Sequence, residues 1–197
     1  MPKEDTRLAI IREGARLIHT KGFNNTGLSD ILKAAGVPKG SFYFYFKNKE
    51  AFGLAVIDHF ADAIVNVGEK FLLNKDYPPL ERLNRFLDFF QKAFQAADMQ
   101  GGCPVGNLTQ EMSDLSESFR GKIAEVYSRI TSLIAGCLEE ARELGDVSRS
   151  LDARKTAEFI FNSWEGSIMH MKLTKNLQPL FTCRDMIYSF ILKKDAE

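Results

Sequence analysis

Cysteine is scarce in this chain, three residues in 197, and what there is does not pair. Cys103, Cys137 and Cys183 are widely spaced, form no C-x-x-C motif and have no histidine at ligand distance in sequence. That argues against a disulfide framework or a zinc site and for a reducing cytoplasm. His19, His59 and His170 show no ligand spacing to one another, so no metal or other cofactor is expected. The opening MPKEDTR lacks the apolar run of a secretory signal. No stretch approaches the roughly eighteen consecutive apolar residues of a membrane span, and no membrane partner is expected. Alternating strand patterns, internal repeats and low-complexity tracts are missing too, which leaves an all-α chain. No nucleophile arrangement or metal motif is present. An acid–base set could be assembled only from groups such as Asp114, Glu165 and His170, whose spacing carries no signature, so the chain is not expected to be an enzyme.

Net charge is also missing: 26 Lys and Arg balance 26 Asp and Glu. The balance conceals an asymmetry. Residues 1–50 carry nine basic against five acidic side chains, and residues 51–197 carry seventeen against twenty-one. A basic head on an acidic body puts positive potential where phosphates would be met.

What is present is helical periodicity. Leu8, Ile11, Ala15 and Ile18 fall three and four apart and predict a first helix from about residue 4 to 21. Gly22 stops it and Phe23 folds back as an apolar plug. Leu28, Ile31, Leu32 and Ala35 mark a second helix with Thr26 as its N-cap. Gly36 ends that helix, since so tight a turn favours positive φ, and Pro38 suits the first turn of a third. Asn48 predicts the cap of a long fourth helix, 48–73. Further helices are expected at 78–97, 104–113, 117–144, 151–174 and 180–193, about nine in all, with breaks at Pro78-Pro79, Gly101-Gly102, Gly145 and Pro179.

Residues 26–49, TGLSDILKAAGVPKGSFYFYFKNK, have the layout of a helix-turn-helix: two short helices, a tight turn and a basic, aromatic segment. In the third helix Phe42 and Phe46 are four apart and face inward together. That turns Lys39, Tyr43 and Phe44 outward, with Tyr45 near the edge. Gly40 leaves room for close backbone approach. Lys39 can meet a phosphate or a guanine edge, the Ser41, Tyr43 and Tyr45 hydroxyls can reach phosphates, and Phe44 can offer only apolar contact such as a thymine methyl. Thr26 and Lys49 bracket the aromatics with further phosphate-seeking groups. The same aromatic cluster could instead pack a partner protein, making the chain a helix-turn-helix-shaped adaptor, although acidic residues at these positions would be its mark.

The string Thr6-Arg7 with Ile10 or Ile11, then Gly22-Phe23-x-x-Thr26, Ile31, Ala35-Gly36-Val37, Lys39-Gly40-Ser41-Phe42-Tyr43 and Tyr45-Phe46-x-x-Lys49, closely resembles the N-terminal domain of TetR/AcrR-family repressors. The resemblance implies a homodimer whose two heads bind a palindromic operator in double-stranded DNA. It divides the chain into a DNA-binding domain at 1–50 and an effector-binding and dimerisation domain at 51–197. By position it implies DNA contacts at Thr26, Lys39, Gly40, Ser41, Tyr43, Tyr45 and Lys49, with Phe44 facing bases.

The C-terminal region resembles that family more loosely, through Gly102-Cys103-Pro104-x-Gly106-Asn107-Leu108 and Phe161-x-x-Ser163-Trp164-Glu165-Gly166. A small hydrophobic effector would need an apolar cavity with a few polar anchors. Phe60, Ile64, Phe86, Phe90, Leu108, Met112 and Trp164 are candidate walls; Asn107, Tyr127 and Glu165 are candidate anchors. Cys103 either faces the pocket as a reactive thiol near a helix start or fills space as a small buried residue. For the dimer, Phe159, Ser163, Ser167 and His170 on one helix and Ile187 and Ile191 on the next could form a self-complementary four-helix interface.

Overall fold

The computed structural model describes residues 3–194, which contain nine α-helices. They are α1 (Lys3–Lys21), α2 (Leu28–Ala34), α3 (Phe42–Tyr45), α4 (Lys49–Leu72), α5 (Pro79–Ala96), α6 (Pro104–Met112), α7 (Glu117–Glu143), α8 (Ala153–Thr174) and α9 (Gln178–Met186). A short 3-10 turn, Lys39–Ser41, leads into α3, and a π turn, Ile187–Ile191, follows α9. No strand occurs among the described residues.

The chain groups into two compact units. The first contains the chain up to Ala63 together with Pro104–Val126; the second contains Ile64–Cys103 and the chain from Tyr127 onward. The first unit therefore takes in more than residues 1–50, and α4 and α7 each contribute to both.

In the first unit Ile10, Ile31, Phe42, Phe52, Val56 and Phe119 are fully buried. Each such side chain contributes roughly 1.5–3 kcal/mol through burial. Leu8, expected on the buried stripe of α1, is instead exposed, and the buried face of α1 runs through Ile10, Ile11, Ala15, Leu17 and Ile18. Gly14 and Gly53 permit tight packing: a Cβ on Gly14 would overlap the Phe52 ring, and one on Gly53 the Phe119 ring.

In the second unit α5 carries Arg82, a fully buried cation. Its guanidinium donates to the Leu72 carbonyl at 2.7 Å and pairs with Glu140 of α7, which also binds Lys75. The Leu72 carbonyl is one of the acceptors a helix end leaves without an internal partner, so Arg82 caps α4. Hydrogen bonds from Arg82 and then Lys75 hold the Glu140 carboxyl below the usual carboxylate range. Tyr188 in the π turn donates to the Leu80 carbonyl at 3.0 Å, tying the end of the chain to α5.

Among the described residues α4 alone is long and apolar enough to cross a membrane, by length and mean hydropathy. Phe52, Val56, Ile57, Val65 and Leu72 on it are buried in protein, the mark of a core helix.

Candidate nucleic-acid interface

The interface begins at glycines. Gly22, with φ of 85°, ends α1, and Gly36, with φ of 67°, ends α2; both adopt the left-handed conformation that a Cβ disfavours. After Gly36 the chain runs through Pro38 into the 3-10 turn and α3, and Phe46 leaves α3 in extended conformation. The reading helix is thus shorter than its sequence pattern predicts. Gly40 and a run of aromatics are weak helix formers, so packing rather than propensity holds this segment.

That packing comes from Phe42 and Phe46. Both are buried, with ring centroids 5.4 Å apart, and they meet the Phe52 ring of α4 edge-on at 5.9 and 5.2 Å. The Arg7 guanidinium lies 5.2 Å from the Phe46 ring centroid. With two rings anchored, the intervening side chains face out: Tyr43 is 69% and Phe44 64% exposed. Lys39 and Gly40 are also exposed, and Ser41 and Tyr45 are half-buried. Nothing approaches the position of a Cβ on Gly40 within 4 Å. One short segment therefore presents an ammonium, a phenol and a bare aromatic ring on a rigid apolar footing.

Two expected contact residues sit differently. Thr26 is not the cap of α2; Gly27 occupies that position, with no side-chain cap bond. Thr26 is 1% exposed and its hydroxyl donates to the Gly22 carbonyl at 2.6 Å, so it orders the turn from within. The Lys49 ammonium donates to the Phe23 carbonyl at 2.7 Å and lies 4.6 Å from the Phe23 ring centroid. Burial lowers its pKa from the usual lysine value, against the opposing pull of the Glu111 charge. The Asn48 side chain accepts from the Ala51 N–H at 2.7 Å, capping α4.

Glu111 of α6 had no sequence signal. Its carboxylate accepts the backbone N–H groups of Phe23 and Asn24, each at 2.8 Å. Those partners lie 88 and 87 residues away, beyond any local periodicity.

The expected effector residues divide between the units. Phe60, Asn107, Leu108 and Met112 belong to the first, and Ile64, Phe86, Phe90, Cys103, Tyr127, Trp164 and Glu165 to the second. In the first, Leu108 and Met112 are buried and the half-buried Phe60 ring lies 6.1 Å from that of His19. In the second, Phe86 meets Phe90 edge-on at 5.2 Å, and Tyr127 meets Phe161 at 4.9 Å. Burial raises the Glu165 pKa, offset in part by a hydrogen bond from Cys103. No cluster of three or more metal-ligating side chains occurs among the described residues.

The six dimer candidates, Phe159, Ser163, Ser167, His170, Ile187 and Ile191, all line one open groove of about 640 Å³ formed by α8, α9 and the π turn. Phe159, Met169, Met186 and Phe190 leave large apolar side chains exposed on these elements.

An all-α chain whose short third helix shows two aromatic side chains, with a lysine on the 3-10 turn before it, on a helix-turn-helix footing is a transcriptional regulator of the DNA-binding type. Residues 10–56 match the family described as "Bacterial regulatory proteins, tetR family" and residues 79–187 match "Tetracyclin repressor-like, C-terminal domain". The chain is 30% identical over 192 residues to the HTH-type transcriptional repressor DhaR of Mycobacterium sp. (strain GP1), covering 98% of this chain and 95% of that one. It is 36% identical over 172 residues to the transcriptional regulator AcuR of Cereibacter sphaeroides, covering 87% and 78%. The crystal structure of a regulatory protein TetR from Rhodobacter sphaeroides superposes with a TM-score of 0.85 at 35% identity, covering 91% and 95% of the two chains. This chain belongs to the TetR family of transcriptional regulators.

Proposed function

We propose that the chain is a cytoplasmic repressor that binds a palindromic operator in double-stranded DNA as a homodimer and is released by a small hydrophobic effector. The observation that carries the reading is the exposure of Lys39, Tyr43 and Phe44 beside the buried Phe42 and Phe46. Lysine and tyrosine serve phosphates, the bare ring serves a base edge, and buried anchors supply the rigidity that sequence reading needs. Gly40, Ser41 and Tyr45 complete the contact set, Lys49 offers a phosphate contact from the start of α4, and Thr26 acts from beneath. Residues 1–50 read DNA, and residues 51–197 hold the effector and the dimer contact.

The sign of regulation follows the relative named as a repressor. One head offers few base contacts, so two must cooperate at successive major grooves, about 34–36 Å apart. The exposed apolar groove of α8 and α9 supports a second copy of the same chain as its occupant, because a self-complementary surface closes on itself and covers those side chains. Aromatic side chains at Phe86, Phe90, Tyr127 and Trp164, all in the second unit, support an apolar effector, with Glu165 as a polar anchor. Release is a population shift: a hundredfold loss of operator affinity requires the effector to prefer the non-binding state by about 2.7 kcal/mol.

Fluorescence anisotropy on a labelled duplex tests the DNA-binding reading. Affinity should fall steeply and log-linearly between low and moderate salt, because binding releases condensed counterions and that gain shrinks as bulk salt rises. A flat response would exclude phosphate-led binding.

A further inference from the structure

Glu111 and Lys49 grip the turn between α1 and α2 from its two polar sides. The Glu111 carboxylate takes the N–H groups of Phe23 and Asn24 at 2.8 Å each. The Lys49 ammonium takes the Phe23 carbonyl at 2.7 Å. Gly22 makes the approach possible: a Cβ there would stand 3.0 Å from a Glu111 carboxylate oxygen, at a φ of 85° that suits glycine. Thr26 closes the same turn from inside through its bond to the Gly22 carbonyl. A carboxylate on two consecutive backbone donors makes two charge-assisted hydrogen bonds, roughly twice as strong as neutral ones. Its charge also acts on the Lys49 ammonium, so the anion and the cation hold one peptide segment in common.

We propose that Glu111 is a positioning residue for operator recognition, acting by fixing this turn and by confining Lys49. The proposal rests on the DNA-binding reading above. The turn leads directly into α2 and so sets where the reading helix stands. Lys49, held on the Phe23 carbonyl of that fixed turn, offers its remaining donors to a phosphate from one position. Without Glu111 the Phe23 peptide that holds Lys49 is no longer fixed, and the ammonium, on a flexible four-carbon stem, leaves it to meet the phosphates of any duplex. Glu111 thereby raises discrimination while lowering indiscriminate affinity. An acidic residue on a DNA-binding unit would ordinarily be counted as simple repulsion; here its oxygens are spent on backbone donors.

The experiment uses the full-length chain, Glu111→Ala, Glu111→Gln and the double variant Lys49→Met with Glu111→Ala. Each is titrated over a salt series with two labelled duplexes: one enriched by the wild type from a randomised pool, and a scrambled one of equal length. In Glu111→Ala, which removes both hydrogen bonds to the carboxylate, the ratio of the two affinities should fall about tenfold, a fraction of what two hydrogen bonds to a charged group are worth. The log–log salt slope on the scrambled duplex should steepen by about one phosphate contact, ~0.9. The double variant should return that slope to the wild-type value. Glu111→Gln, with one acceptor oxygen and no charge, should lie between. A parallel loss on both duplexes with unchanged slope would reduce Glu111 to a purely structural role and overturn the proposal, as would an unchanged ratio. If Glu111→Ala does not fold, Glu111→Gln decides by the same two readings. A wild type that binds neither duplex would overturn the DNA-binding reading itself and this proposal with it.

Discussion

Tyr43 owes its exposure to its neighbours: with Phe42 and Phe46 buried, its ring packs edge-on against Phe42 at 5.4 Å and the hydroxyl is left outside. Tyr43→Ala removes a surface side chain and no core contact beyond that edge. It should lower operator affinity by roughly tenfold, the scale of one polar contact, while sedimentation shows the same oligomer as the wild type. This orientation was legible in the sequence because the four-residue spacing of two phenylalanines settles which side chains face out. The roles of Thr26 and Lys49 were not, since their partners, Gly22 and Phe23, are set by how the turn closes in three dimensions. Glu165 was singled out as a polar group amid apolar ones, and burial does raise its pKa. A carboxyl raised in the folded state binds its proton more tightly there than in the unfolded chain. Its stability penalty is absent below the ordinary carboxylate range and grows as pH climbs through the raised value. Glu165→Gln should therefore be more stable than the wild type at neutral pH, and the difference should vanish in acid, read from urea melts at each pH.

Helices were the most legible level. Seven of the nine expected helices lie close to observed ones because glycine and proline punctuate them: Gly22 and Gly36 adopt positive φ, and Pro79 starts α5. The misses have physical causes. The third helix is one turn long because its residues favour packing over helical propensity, and the last expected helix ends in a π turn at Ile187–Ile191. Helix α4 shows how tightly elements meet. A Cβ on Gly53 would overlap the rings of Phe119 and Phe23, both buried and unable to swing away. Alanine improves helical propensity by up to ~1 kcal/mol, yet overpacking typically costs about 1–3 kcal/mol, so the second effect wins. Gly53→Ala should lower the urea midpoint. A raised midpoint would mean that the two aromatic rings yield more freely than their burial implies.

The whole molecule is a chain in which α4 and α7 each run from one compact unit into the other. Helix α4, 24 residues long, spans about 36 Å at roughly 1.5 Å per residue. It carries Lys49 at its first turn and at its last the Leu72 carbonyl, which Arg82 caps. Family membership was legible from residues 6–52 alone, because phosphate and base contacts restrict the residue types there. The effector was not: apolar side chains such as Phe86 and Trp164 serve a core and a pocket equally well, and no spacing separates the two uses.

The central claim is a pair of cationic, aromatic reading heads brought to successive major grooves by a twofold dimer. Selection from a randomised duplex pool by the purified full-length protein, followed by sequencing, tests it most directly. The expected result is an inverted repeat whose half-sites are centred about 10 base pairs apart, or a multiple of that spacing. A pool with no enriched sequence, or with a single half-site lacking its symmetric mate, would contradict it.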